Sequence, residues 1–284
     1  MEQIVDQHAV IAGHRIAHGI HGEGEPVVLL HGTPSSSLIW RGVVPELVAA
    51  GYRAHVFDLL GYGVSERPAD PAVDTSITGN VAILEGLLEH WGLETFHLVA
   101  HDIGGGIAQR FAVESTPRLR SLTLIDVVSF DSYPSSRTRQ QMAAGLETLA
   151  RTPDGEHREH FREWLRSTHA RPERFDPEAL ETYLDFISGP IGQPSFFAHQ
   201  VSHYDPKHTM EISDRLFRLA DIPVQLIWGA QDTWQVLERA HRLRDAIPGS
   251  GLHVIEDCGH FAPEEQPHEV ARATLRHLDA ASAR

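Results

Sequence analysis

The chain of 284 residues has a single cysteine, Cys258, so no intrachain disulfide can form. A lone thiol fits a reducing compartment, and a cytoplasmic location is the expectation. No segment approaches the ~20 consecutive apolar residues of a membrane-spanning helix. The N-terminal stretch MEQIVDQHAVIAGHRI carries acids and polar residues. It lacks the apolar run of roughly 7–15 residues that marks a secretory signal. Positive charge is also scarce: 24 Lys and Arg stand against 39 Asp and Glu, a net charge of −15. No basic stretch exceeds a few residues, so neither nucleic acid nor an anionic membrane is expected as a partner. Repeats and low-complexity tracts are missing as well. What the chain does have is 41% hydrophobic residues, enough for one large domain or a core carrying an insertion.

Short apolar, β-branched runs recur along the chain at Val27–Leu30, His55–Leu59, Phe96–Ala100, Leu122–Val127, Val224–Trp228 and Leu252–Ile255. Such runs predict strands buried on both faces, and therefore parallel. Amphipathic stretches of helical length alternate with them: Ser36–Ala50, Ile77–Trp91, Gly105–Glu114, Gln235–Ile247 and His268–Ala281. The alternation predicts a helix-covered parallel sheet. Ala9–Ile11 and Arg15–Ile20 flank Gly13 and read as an antiparallel hairpin at its edge. Between about Phe130 and Leu219 the alternation stops. Helices over Arg137–Arg151, Glu156–Ser167, Pro177–Ser188 and Pro194–His203 are expected there. The segment is too long for a structureless loop. The expected organisation is a core of residues 1–129 and 220–284 with a helical cap of residues 130–219.

Three motifs carry chemistry. In Leu98–Gly106, LVAHDIGGG, a strand runs straight into glycines that open a helix. This is the strand–elbow–helix layout of G-x-S-x-G, with Asp102 where the serine would stand. The elbow would present the Asp102 carboxylate at the carboxyl end of the sheet, where open α/β folds place their sites. An ordinary N-cap for the following helix is the competing role. A dinucleotide loop fits poorly, because the glycines are consecutive and no partner acid follows at the expected distance. In His31-Gly32-Thr33-Pro34 a strand-end turn can aim the Thr33 N–H at the site. With the Ile103 N–H it would form a two-donor oxyanion hole. In Cys258-Gly259-His260-Phe261 a histidine follows the last strand and can reach back over the sheet. The chain has 20 histidines, and the place of His260 in the order nucleophile, acid, histidine singles it out. Two residues can serve as the acid that orients it: Asp232, just past the Val224–Trp228 run, is the preferred one, and Asp126, at the end of Leu122–Ile125, is the alternative.

Taken together, HGTPSSSLIW, DLLGYGVSERP, HDIGGG, WGAQD and CGHF resemble the Asp-nucleophile branch of the α/β-hydrolases. That branch holds epoxide hydrolases and haloalkane dehalogenases, with fluoroacetate dehalogenases as relatives. The resemblance covers the chain except the cap, which matches in position and helical character. It implies an α/β-hydrolase fold of about eight strands with an inserted helical cap. It also implies that Asp102 attacks saturated carbon and that His260, oriented by its acid, activates the water that hydrolyses the ester.

The resemblance divides over the leaving group. Family dehalogenases place a Trp after the nucleophile, and many add an Asn after His-Gly; here Ile103 and Thr33 hold those positions. The Ile103 side chain cannot donate a hydrogen bond. Family epoxide hydrolases use two cap tyrosines. Tyr204 falls where the second of these is expected, with Tyr183 and Tyr133 competing for the other role. The common epoxide-hydrolase pattern also has a Trp after the nucleophile, so Ile103 departs from both. The leading expectation is an epoxide hydrolase for small or medium apolar epoxides. Phe130, Trp164, Phe186, Phe196, Phe197 and Phe261 are candidates for an apolar pocket. A dehalogenase, its halide held by Trp40, Trp164 or His203, is the alternative, and a non-catalytic ligand binder a minor one. No cofactor or metal is expected, only substrate and water, in a monomer or homodimer.

Overall fold

A computed structural model describes residues 4–283. Residues 1–3 and 284, which the sequence boundaries count within the core, lie outside the described residues. The strands are β1 Gln7–Ile11, β2 His14–His21, β3 Glu25–Leu30, β4 Tyr52–Phe57, β5 Phe96–His101, β6 Leu119–Ile125, β7 Val224–Gly229 and β8 Gly251–Ile255. They form one sheet in the order β1-β2-β4-β3-β5-β6-β7-β8. The β1–β2 hairpin joins β4 antiparallel, and every pairing from β4 to β8 is parallel. Strand β5 is buried along its whole length. That is why Phe96–His101 reads as an apolar run and not as an alternating one.

The helices of the first half are α1 Val44–Ala49, α2 Ile77–His90 and α3 Ile103–Ser115. The single helix expected over Ser36–Ala50 is instead two pieces. Ser36 caps a 3-10 turn over Ser37–Trp40, and α1 starts afresh at Val44 with Pro45 in its first turn. Proline has no N–H to continue a helix but fits a new first turn.

Between β6 and β7 the chain forms α4 Ser136–Ala144, α5 Leu146–Ala150, α6 Asp154–Arg166, α7 Pro177–Ile187, α8 Gly189–Ser195 and α9 Lys207–Met210. The expected helix over Arg137–Arg151 breaks at Gly145, whose φ is 94°. The one expected over Pro194–His203 becomes the end of α8, a π-turn over Phe196–Gln200 and a 3-10 turn. The insertion has its own small aromatic core, in which Phe161 meets Phe196, Phe197 and Trp164. The chain ends with α10 Leu237–Ala246, α11 Ala262–Glu265 and α12 Pro267–Ser282. Among the described residues no helix is long and apolar enough to cross a membrane.

Candidate active site

Asp102 joins β5 to α3 with a φ of 51°. For a residue with a Cβ this left-handed conformation costs about 1–3 kcal/mol, and it persists only where the surroundings hold it. An N-cap has extended backbone and accepts from an N–H of its own helix. Asp102 does neither: its Oδ1 accepts from the Thr33 amide of another loop, at 2.7 Å. Two glycines permit this approach. A Cβ on Gly32 would overlap the Asp102 side chain, and one on Gly104 would strike the backbone carbonyls of Leu30 and His31. Ile103 is the first residue of α3, so its N–H has no partner within the helix.

His260 reaches the elbow from the loop after β8. Its Nδ1 lies 2.9 Å from Asp232 Oδ2, and its Nε2 lies 3.3 Å from Asp102 Oδ2. The second contact is an ion pair without an aligned hydrogen bond. Asp232 is anchored in turn: its Oδ1 accepts from the Trp234 and Gln235 amides at 2.7 and 2.8 Å. Burial by itself pushes the His260 imidazole down, but the Asp232 and Asp102 carboxylates outweigh it and raise the pKa to about 10. Burial likewise pushes Asp102 up, and the neighbouring His260 outweighs it and holds the carboxyl below its ordinary range. The resting pair is therefore carboxylate and imidazolium.

Asp126 ends up in a different state. It is buried after β6, and its Oδ1 accepts from the Gly229 amide at 2.8 Å. Burial and the neighbouring Asp232 charge push its pKa well above the carboxylate range. It stays protonated, while Asp232 makes the hydrogen bond to His260.

A cavity of about 30 Å³ opens beside Asp102, room for roughly one water. Thr33, Tyr133, Tyr204, Trp164 and Trp234 are among its walls. The Tyr133 and Tyr204 rings lie 5.0 Å apart. Burial, reinforced by the nearby Asp102 charge, raises both phenols above their ordinary range. Both are O–H donors at neutral pH. The Tyr204 hydroxyl contacts Thr33 Oγ1, which itself donates to Gln200 Oε1 at 3.3 Å.

From residue 25 to residue 267 the chain matches the family model of the alpha/beta hydrolase fold. The chain belongs to the α/β-hydrolase fold family, and its broad class is hydrolase. It is 25% identical over 273 residues to the cis-3-alkyl-4-alkyloxetan-2-one decarboxylase of Shewanella oneidensis, covering 91% of this chain and 83% of that one. It is 26% identical over 291 residues to a soluble epoxide hydrolase of Corynebacterium sp. strain C12, covering 96% and 97% of the two chains. The crystal structure of an alpha/beta hydrolase fold protein from Burkholderia ambifaria superposes with a TM-score of 0.86 at 29% identity, covering 97% of this chain and 100% of that chain.

Several residues singled out in the sequence sit elsewhere in this hydrolase. Helix α7 turns the Tyr183 hydroxyl to Glu264, to which it donates at 2.9 Å, and Glu264 also pairs with Arg41. Trp40 is sealed in the core. Phe130 lies under the Arg242 guanidinium, 3.9 Å from its ring centroid. Phe196 and Phe197 pack within the insertion, and Phe186 is only partly buried against the core. His203 Nε2 donates to the Pro71 carbonyl at 3.3 Å. Phe261 backs His101 and His260. None of these lines the Asp102 cavity; of the expected aromatic walls, Trp164 does. Helical periodicity assigns a side chain to the buried face but does not say which neighbour that face meets.

Two residues of the site escaped the sequence. Trp234 follows Asp232 by two positions, and its indole stacks on both His260 and Trp164. Its place on the same loop as the acid is the signal that was available. Tyr62, within GYGVS, is fully buried, and its phenol joins Tyr204 and Thr33.

Proposed function

We propose that this hydrolase is an epoxide hydrolase that opens small or medium epoxides, with an apolar reacting end, through a covalent ester on Asp102. The observation that carries the reading is the pair of protonated phenols, Tyr133 and Tyr204, on the cavity that holds the Asp102 carboxylate. An epoxide oxygen leaves as an alkoxide, a poor leaving group that needs such donors. The names of two relatives point the same way: one refers to an epoxide and the other to an oxetan-2-one, both small strained oxygen rings.

Asp102 Oδ2 attacks a ring carbon, the carbon–oxygen bond of the epoxide breaks, and the oxygen takes a phenolic proton. Esterification removes the Asp102 charge that helps to hold the His260 proton. His260 then returns its proton to the phenolate and is neutral when water arrives. It accepts a proton from that water as the oxygen attacks Asp102 Cγ. The developing oxyanion sits at Oδ1, where the Thr33 N–H already donates, with the Ile103 N–H as second donor. Collapse expels the diol, whose oxygen takes the proton of the regenerated Asp102 carboxyl.

A dehalogenase is the second reading, favoured by the Trp164 indole on the same cavity wall. Intact-protein mass spectrometry of His260→Gln, incubated with an epoxide panel and a bromoalkane panel, decides between them. The expected result is a stable adduct heavier by the whole mass of an epoxide. Adducts from bromoalkanes alone would establish the second reading, and the lack of any adduct would remove both.

A further inference from the structure

Outside the Asp102 cavity lies a second, wider space of about 390 Å³. The two share Ser132, Ser135, Trp164 and Trp234 as walls, so the outer space is the vestibule of the inner one. Its charge runs against that of the molecule. The chain carries a net −15, yet Arg137, Arg139 and Arg239 line the vestibule with Asp131 as its one acid among the described residues. Asp131 is already shared by Arg239 and Arg242 at 2.7 and 2.9 Å.

Arg137 and Arg139 have no such partner: among the described residues, neither forms an ion pair with a carboxylate. Arg137 donates to His160 Nε2 at 3.2 Å, and burial, followed by the Arg137 charge, holds that imidazole below its ordinary range. The guanidinium therefore has no directly paired carboxylate, and the Glu163 charge acts on it only from beyond ion-pair distance. The side chain is nevertheless held in place, with its guanidinium 6.0 Å from the centre of the Trp164 ring. Trp164 stacks on Trp234 at 4.5 Å and 18°, and Trp234 on His260 at 5.0 Å and 24°. The column Arg137–Trp164–Trp234–His260 ties a fixed cation at the vestibule wall to the histidine of the site. Arg137 is an exposed residue, so an anion entering the vestibule can reach its guanidinium.

We infer that the substrate is an organic acid, its carboxylate held in the vestibule by Arg137 and Arg139 while its reacting carbon enters the Asp102 cavity. The assignment rests on the reading of Asp102 as the nucleophile. A planar guanidinium fork matches a carboxylate in two parallel hydrogen bonds, and the hydroxyls of Ser132 and Ser135 at the shared wall can donate to the same group. The inner cavity, with Tyr133, Pro134 and Val128 beside Asp102, has no Lys or Arg among its described walls for an acid to use. The carboxylate is therefore held away from the Asp102 charge.

The test measures binding without turnover. Phenylacetate and phenylacetamide, equal in shape and different in charge, are titrated against the protein by tryptophan fluorescence, which Trp164 and Trp234 report. The expected result is about tenfold tighter binding of phenylacetate at low salt, shrinking as salt rises. In the Arg137→Gln/Arg139→Gln double variant the two affinities should become equal. If that variant does not fold by circular dichroism, Arg139→Gln alone, at an exposed position, carries the test and should reduce the preference. Equal affinities in the unaltered protein, or a preference that the variants leave intact, would overturn the inference. Loss of the epoxide reading alone would appear instead as a missing adduct on His260→Gln, with this charge preference unchanged.

Discussion

The Trp234 indole lies nearly flat against the His260 imidazole, with ring centroids 5.0 Å apart and planes 24° apart. Asp232 fixes one edge of the imidazole through Nδ1; Trp234 fixes its plane. Together they aim Nε2 at Asp102, 3.3 Å from its Oδ2.

Trp234→Ala should therefore slow hydrolysis of the ester more than its formation. Loosening a general base by a fraction of an ångström costs on the order of 10-fold or more. Rapid-quench kinetics should show the ester accumulating in Trp234→Ala, with the burst of its formation retained. Trp234→Phe, which keeps a stacking ring, should recover most of the loss. Equal slowing of both steps would assign the indole to substrate binding alone.

The two acids near His260 should respond oppositely to amide substitution. Asp126 is protonated, so a neutral amide in its place mimics the form already present. Asp126→Asn should change turnover by less than about 3-fold at pH 7, with little loss of stability. Asp232→Asn should cut turnover by about 10²–10⁴, because the imidazole loses both its tautomer and its charge partner. The pH dependence follows with a definite sign. The folded-state pKa of Asp126 is raised, so below its ordinary value of 3.8 both folded and unfolded states hold the proton. As pH rises past that value only the unfolded state ionises, and the contribution of Asp126 to stability falls. Denaturant titrations from about pH 4 to 7 should show Asp126→Asn gaining stability on the parent as pH rises. A difference that does not vary with pH would place a charge on Asp126.

The three tyrosines of the insertion should separate by chemistry. Tyr204→Phe and Tyr133→Phe each remove a donor from the Asp102 cavity, and each should lower the rate of ester formation by about 10²–10³ while thermal stability changes little. Tyr183→Phe breaks a buried bond to Glu264. It should cost about 1–3 kcal/mol of stability and leave ester formation near that of the parent. Single-turnover rates and thermal melts on the three variants test this ordering, and an equal effect of Tyr183→Phe on ester formation would refute it.

Much of this was legible in the chain. Runs such as Phe96–Ala100 announced a strand buried on both faces, because only such a strand tolerates unbroken apolar character. The glycines of HDIGGG announced an elbow, and a side chain at Gly104 would indeed meet the Leu30 and His31 carbonyls at the end of β3. Asp102 and His260 could be named from these local features, since each lies on a turn whose geometry its neighbours dictate. The order of the motifs along the chain was enough to suggest that the two would meet.

Choices between chemically equal candidates were only partly legible: the chain favoured Asp232 over Asp126 but left Tyr133 and Tyr183 level. Asp126 and Asp232 are the same residue type at similar strand ends. The fold distinguishes them by burying one beside the charge of the other. Tyr133 and Tyr183 are both buried, but the packing of α7 sends Tyr183 to Glu264 and leaves Tyr133 beside Tyr204. The role of Trp234, and the arginine-lined vestibule above it, exist only where the loop after β7 meets α4 and α6. Local sequence encodes turns and the faces of elements through sterics and periodicity. Which faces come together, and how burial then divides charge between like residues, is a property of tertiary contact alone.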